Sequence, residues 1–223
     1  MIYETREGKL FGILHIPRTG GRFVKMNLLL NGMKPVDCAR FNNLLEYECR
    51  KAVHFTKTEL FNYLGRLGEL EGYSDIPFYS ICRNPADRFV SASNNLRSEQ
   101  KEKMHQSFDR FKEVMEEEYT EVSMPSCEIR IKGILRSPDS FFRFQTDYMD
   151  DSIDFMRYEE GFDTIFEWLS DELKTNIQTI EKRLILDRRN SVDNAVKDIS
   201  AETVEFAREY YKEDYSSFGY PIS

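Results

Sequence analysis

The sequence is poor in the residues that build metal and disulfide frameworks. Its 223 residues include 4 cysteines and 3 histidines. Cys38, Cys49, Cys82 and Cys127 contain no pair at Cys-x-x-Cys spacing, and no histidine stands at ligand spacing from them. A zinc site is therefore not expected. A disulfide framework, the device of short secreted chains, is not needed at this length. Cys82 lies in an apolar run and reads as a reduced core thiol. Cationic charge is in deficit as well: 31 Lys and Arg face 39 Asp and Glu, a net charge of −8. That balance disfavours sequence-independent binding to nucleic acid. No stretch approaches the ~20 apolar residues of a membrane span, and the opening MIYETREGKL lacks a basic-then-apolar leader. These absences predict a cytoplasmic protein with no nucleic-acid or membrane partner. An acidic chain that binds an anion must gather its cations locally. Small basic islands beside glycines or at strand ends are the places to look.

What is present is aromatic and apolar matter for a core, 13% and 40% of the chain, and no internal repeat or linker. A single domain over residues 1–223 is expected. Leu10–Ile16 is a short apolar run that stops at Pro17, and a helical pattern then runs to Asn31-Gly32, where glycine suits a C-terminal stop. Ala52–Phe55 reads as a second strand, followed by Leu60, Leu64 and Leu67 on one helix face. Pro77–Cys82 reads as a third strand, with Pro85 opening a helix. Met104, Phe108, Phe111 and Met115 form a helical stripe, and residues 120–138 read as irregular. Phe141–Met149 reads as helix, Ile153–Tyr158 as a fourth strand, Phe162–Leu173 as an amphipathic helix, and Ser200–Tyr211 as the last helix before an aromatic tail. Strands alternating with helices predict an α/β fold with a central, largely parallel sheet. Ligands of such sheets bind beyond the carboxyl ends of the strands.

Two arginine-bearing segments fall there. Pro17-Arg18-Thr19-Gly20-Gly21-Arg22 joins a strand to a helix. Consecutive glycines permit a tight turn, the helix start offers unpaired N–H groups and a positive dipole end, and the arginines add full charge. A phosphate or sulfate group suits this chemistry; a plain glycine turn with surface arginines is the alternative. It is not the G-x-x-x-x-G-K-[ST] loop of magnesium-dependent nucleotide enzymes, because Arg22-Phe23 follows Gly21. The second island is Arg83-Asn84-Pro85-Ala86-Asp87-Arg88 with Ser91 one turn on; it suits a second phosphate, or a salt bridge at a helix start. Arg188-Arg189-Asn190-Ser191 is a third, weaker island.

With these segments in view, the sequence resembles the carbohydrate sulfotransferases. FGILHIPRTGGRF is similar to their 5′-phosphosulfate loop, usually H-I-P-K-T-G-G-T, and CRNPADRFVSA to their Arg-x-Pro-x-x-Arg-x-x-Ser motif for the 3′-phosphate. Phe144-Gln145 with Tyr148-Met149, the Tyr158–Leu173 stretch, Arg189-Asn190-Ser191 and the ending Tyr211…Asp214-Tyr215…Phe218-Gly219-Tyr220 are softer matches, so the likeness spans about residues 10–220. The resemblance implies a P-loop-like three-layer sandwich around a parallel sheet. It implies the donor 3′-phosphoadenosine 5′-phosphosulfate (PAPS), leaving the product PAP, with no metal. It places the 5′-phosphosulfate at Arg18, Thr19, Gly20, Gly21, Arg22 and Phe23, the 3′-phosphate at Arg83 and Ser91, and a closing loop at Arg189, Asn190 and Ser191. Two departures stand out: Arg18 replaces the usual lysine, and Arg22-Phe23 replaces the usual Thr-Ser. Relatives anchored in the Golgi carry an N-terminal membrane helix that this sequence does not show, which suggests a microbial or viral version.

Sulfo transfer to a hydroxyl or amine of a glycan or other small acceptor needs charge stabilisation, for which Arg18 is the candidate, and a general base. His54 fits the region that supplies the base in several relatives; Glu48 and Glu59 flank it. His15 reads as support for the loop, and His105 as a helix residue. Two other functions stay open at this point: a silent PAP- or nucleotide-binding protein of the same fold, and a small-molecule kinase.

Overall fold

The computed structural model describes residues 1–36, 54–66, 70–93, 121–124, 127–130, 142–180 and 201–222. They form two compact units, each built from two stretches of chain. One comprises Met1–Cys82 with Asp147–Asn190, the other Arg83–Thr146 with Ser191–Ser223.

The first unit holds a five-stranded sheet. Its strands are β1 (Ile2–Glu4), β2 (Leu10–Leu14), β3 (Lys34–Pro35), β4 (Phe78–Cys82) and β7 (Ile153–Arg157). The order is β3-β1-β2-β4-β7. β2, β4 and β7 run parallel, with Gly12 opposite Phe78 and Phe78 opposite Ile153. β1 pairs antiparallel with both β2 and β3. The sheet is therefore mixed, and the expectation of a parallel sheet holds for its three strands β2, β4 and β7. The antiparallel strands escape a pattern reading because they are short: β1 and β3 have 3 and 2 residues.

Strand alternation sends side chains to opposite faces. Phe11, Ile13, Tyr79 and Ile81 join one core with α1 (Gly21–Leu30) and α4 (Phe162–Leu173). Leu14, Phe78 and Ile153 join a second core with Leu60 and Leu64 of α2 (Lys57–Arg66). Helices thus cover both faces. Gly12 is needed at the centre of β2: a Cβ there would lie 2.2 Å from the Phe78 ring. That ring is buried against Phe61, with centroids 5.6 Å apart. Gly12→Ala is expected to cost about 1–3 kcal/mol by overpacking. Phe78→Leu in the same chain should recover part of it, both read by denaturant unfolding.

Residues 54–55 lie in a turn and coil ahead of α2, so the described part of the expected strand Ala52–Phe55 is not a strand. Thr56 and Glu59 explain the break. The Thr56 hydroxyl accepts from the Glu59 N–H (3.1 Å), and the Glu59 carboxylate accepts from the Thr56 N–H (2.8 Å). This capping box starts the helix and turns the chain out of extended geometry.

The second unit contains α3 (Pro85–Ser93), the hairpin β5 (Glu121–Met124) with β6 (Cys127–Arg130), α5 (Ala201–Tyr210) and α6 (Lys212–Ser217). The hairpin lies where the sequence reads as irregular. The expected helix Phe141–Met149 is, over its described residues, only a 3-10 turn at Thr146–Tyr148. Its aromatic spacing reflects burial of Phe142, Phe144 and Tyr148 in turn, irregular and 3-10 backbone. The Met104–Met115 stripe lies outside the described residues. Among the described residues no helix is long and apolar enough to cross a membrane.

Candidate functional site

β2, β4 and β7 end on one edge of the sheet of the first unit. The chain leaving β2 passes His15, Ile16 and Pro17, then Arg18 and Gly20, both with positive φ (71° and 84°). α1 follows at once. Positive φ at an arginine is strained backbone, of order 1–3 kcal/mol. Both glycines are fixed by packing. A Cβ on Gly20 would meet the Phe162 ring at 2.5 Å, and one on Gly21 would meet the His15 ring at 1.9 Å. Two aromatic side chains thus occupy the space that side chains at 20 and 21 would take.

Gly20 caps α1 without a side chain, its carbonyl accepting from the N–H groups of Phe23 (2.8 Å) and Val24 (3.2 Å). The first-turn N–H groups of Gly21 and Arg22 have no acceptor within the helix, as at any helix start. Arg22 is exposed and Arg18 half-buried. This is the donor set an anionic group needs: helix amides, a dipole end and two guanidiniums.

The side chains of two residues expected at the anion, Thr19 and Phe23, are engaged within the protein. The Thr19 hydroxyl, buried, donates to the Ile16 carbonyl at 2.8 Å and ties the loop to the strand. Phe23 is buried in the core, edge-on to Phe162 at 4.5 Å, and its N–H donates to the Gly20 carbonyl. The aromatic side chain that replaces the usual hydroxyl therefore anchors α1.

His54 lies against this loop. Its Nδ1 is 3.3 Å from the His15 carbonyl, and the two rings are 4.8 Å apart. A carbonyl can only accept, so Nδ1 carries the proton and the lone pair of the neutral ring is on Nε2. Burial pushes His54 below the ordinary histidine range, against the raising effect of that hydrogen bond. His15 is pushed down to about 3, first by lost hydration, then by His54, the N-terminal ammonium, Lys25 and Arg18. Both rings are neutral at pH 7. Glu59, the rival base, is engaged in the capping box of α2, and Glu48 lies outside the described residues.

The depressed His15 makes an acid-sensitivity prediction. Its folded-state value is below the unfolded one, so the stability it supports is complete above about pH 6.5. That stability is lost as pH falls from there toward 3, by up to ~1.4 kcal/mol per pH unit. Denaturant midpoints between pH 4 and 7 should show this slope, and His15→Gln should flatten it.

In the second unit, Arg83 is half-buried and its backbone is held at both polar groups by Gln145. Its N–H donates to Gln145 Oε1 (2.9 Å), and its carbonyl accepts from Gln145 Nε2 (2.8 Å). Asn84 Oδ1 accepts from the N–H groups of Ala86 (3.1 Å) and Asp87 (3.3 Å), so the start of α3 is already capped. A phosphate near α3 would have to be met by side chains, of which Arg83 and half-buried Ser91 are the candidates.

Arg88 is not one of them. It is 1% exposed, donates to the Arg143 carbonyl and lies 5.7 Å from the Tyr211 ring. Its charge acts on Asp214, which is fully buried and accepts from the N–H groups of Gln145 (2.9 Å) and Thr146 (3.0 Å) and from the Thr146 hydroxyl (3.2 Å). Burial raises Asp214 above the usual carboxylate range; Arg88 and these bonds pull the other way. Arg189, Asn190 and Ser191 lie outside the described residues. Among the described residues no group of three or more acidic, His or Cys side chains is placed to hold a metal.

Fold and site together define an α/β protein with an arginine- and glycine-bearing turn leading from a strand end into a helix. The family model described as Sulfotransferase family matches residues 6–221, spanning both units. The chain belongs to the sulfotransferase family, whose members are transferases that move sulfo groups. No curated protein and no solved structure matches it.

Proposed function

We propose that this sulfotransferase uses PAPS to sulfate a hydroxyl or amine of a carbohydrate or other small acceptor, without a metal. The observation that carries the reading is the loop after β2: strained Arg18, side-chain-free Gly20 at the cap and exposed Arg22 surround a helix start whose amides are available to an anion. When bound, PAPS supplies an activated sulfo group on a phosphosulfate anhydride. Arg18, Arg22 and the α1 amides bind the negative charge of its 5′ end. Arg18 would supply positive charge beside the oxygen that leaves the sulfo group. Arg83 and Ser91 are the residues for its 3′-phosphate; Arg189, Asn190 and Ser191, outside the described residues, are further candidates for contact with the nucleotide. His54 takes the acceptor proton at Nε2, while its Nδ1–H stays on the His15 carbonyl. The hydrogen bond fixes the tautomer, and the low basicity keeps the ring unprotonated at neutral pH.

The test is the release of PAP from PAPS with a panel of sugars, phenols and amines, beside a parallel assay with ATP and magnesium. PAP release that depends on one acceptor class supports the proposal. ATP consumption without PAPS turnover would point to a kinase. PAP binding with no turnover on any acceptor would point to a silent binding protein, the reading that the loss of hydroxyls at Arg22 and Phe23 favours.

A further inference from the structure

Gln145 has no role in the site as proposed so far, yet its geometry is demanding. The side chain is fully buried and returns two reciprocal hydrogen bonds to a single residue, Arg83, at both backbone polar groups. This is the pairing that one strand makes with the next, supplied here by one amide. It holds the backbone of Arg83 just past β4, whose paired residues run to Cys82 opposite Arg157. Gln145 is held in turn. Its own N–H, and both the N–H and the hydroxyl of Thr146, donate to the two oxygens of Asp214. Asp214 sits at 0% exposure beside the buried charge of Arg88. The neighbouring position is fixed by the same helix: the Tyr215 hydroxyl donates to Asn84 Oδ1 and accepts from the Ala86 N–H, each at 3.3 Å.

Replacing a buried polar network with apolar residues of similar volume is often neutral for stability, so the geometry this one holds is where its role is sought. What this one specifies is the backbone position of one arginine. We propose that Gln145, anchored by Asp214, is a positioning residue that aims the Arg83 guanidinium at the 3′-phosphate of the donor. The inference rests on the PAPS reading above. It assigns the selectivity of the protein for a 3′-phosphorylated nucleotide to a side chain that never touches the nucleotide.

The experiment compares PAP with AMP, which lacks only the 3′-phosphate, by calorimetric titration of the intact chain. Wild type should prefer PAP, and Gln145→Met should lose about 10-fold or more of that preference while AMP affinity stays within about 2-fold. A merely structural role would weaken both ligands alike, and that result overturns the inference, as does an unchanged preference. No preference in wild type would show instead that the PAPS reading fails. Wild-type amide exchange provides the same test should Gln145→Met not fold. PAP should slow exchange of the Arg83 amide about 10-fold more than AMP does, and equal slowing by the two overturns the inference.

Discussion

His54→Ala is expected to lower sulfo transfer by about 10²–10⁴-fold, the usual contribution of a positioned general base, with PAP affinity nearly unchanged. The expectation rests on a tautomer. The His15 carbonyl fixes the proton on Nδ1 of His54 and leaves the Nε2 lone pair for an acceptor. His15 contributes its backbone to that bond, and its ring is enclosed between Gly21 and the His54 ring. The pH profile of kcat/KM should fall on the acid side as His54 is protonated, at a pH below the ordinary histidine range. Turnover unaltered by His54→Ala would remove His54 as the base. Glu59→Gln separates the alternatives. It keeps an acceptor for the Thr56 N–H and should leave the profile in place, because Glu59 serves the start of α2.

The second large effect belongs to stability. Asp214→Ala removes the acceptor of three hydrogen bonds and the charge that faces Arg88, in a region closed to water. Breaking one side of a buried charged network typically costs about 3–5 kcal/mol. At this chain length that corresponds to a fall in melting temperature of roughly 10 °C. Asp214→Asn keeps one acceptor oxygen but turns an NH2 group toward a backbone donor, and should lie between wild type and Asp214→Ala. Thermal unfolding by circular dichroism reads both variants. A change below about 1 kcal/mol for Asp214→Ala would mean that Arg88 and Gln145 do not depend on this carboxylate.

The parts of the fold that were legible in sequence are those whose pattern repeats. β2, β4, β7, α1, α4 and α5 stand close to their expected bounds because apolar residues recur at strand or helix spacing and because Gly32 and Pro85 mark an end and a start. What was missed is short or aromatic. β1 and β3 are too brief to show alternation. The Phe142–Tyr148 region mimics helical spacing while its aromatics fill a core from irregular backbone. The capping box Thr56-x-x-Glu59 is legible in the sequence as a Thr followed three residues on by a Glu.

The site divides the same way. A glycine turn beside arginines is a local signal, so Arg18, Gly20, Gly21 and Arg22 could be marked from the chain alone. The role of Thr19 as a tether for the loop depends on where its hydroxyl points, which a sequence does not state. Gln145, Arg88 and Asp214 are separated by up to 126 positions (214 − 88) and meet only in the fold. Their signal in the sequence was faint: polar residues embedded among aromatics, as in Phe142-Arg143-Phe144-Gln145 and Asp214-Tyr215. Buried polar residues in such settings need a partner.

The central proposal is that the loop from Arg18 to Phe23 receives the 5′ end of PAPS, a site that its product PAP also occupies. Thermal melting of the intact chain with PAP tests it most directly. A ligand bound only by the native state raises the melting temperature, and PAP at about 100 times its Kd should add roughly 2.7 kcal/mol of stability. The account predicts that rise for wild type and its reduction in Arg18→Ala. Melting curves unmoved by millimolar PAP, or moved equally in wild type and Arg18→Ala, would contradict it.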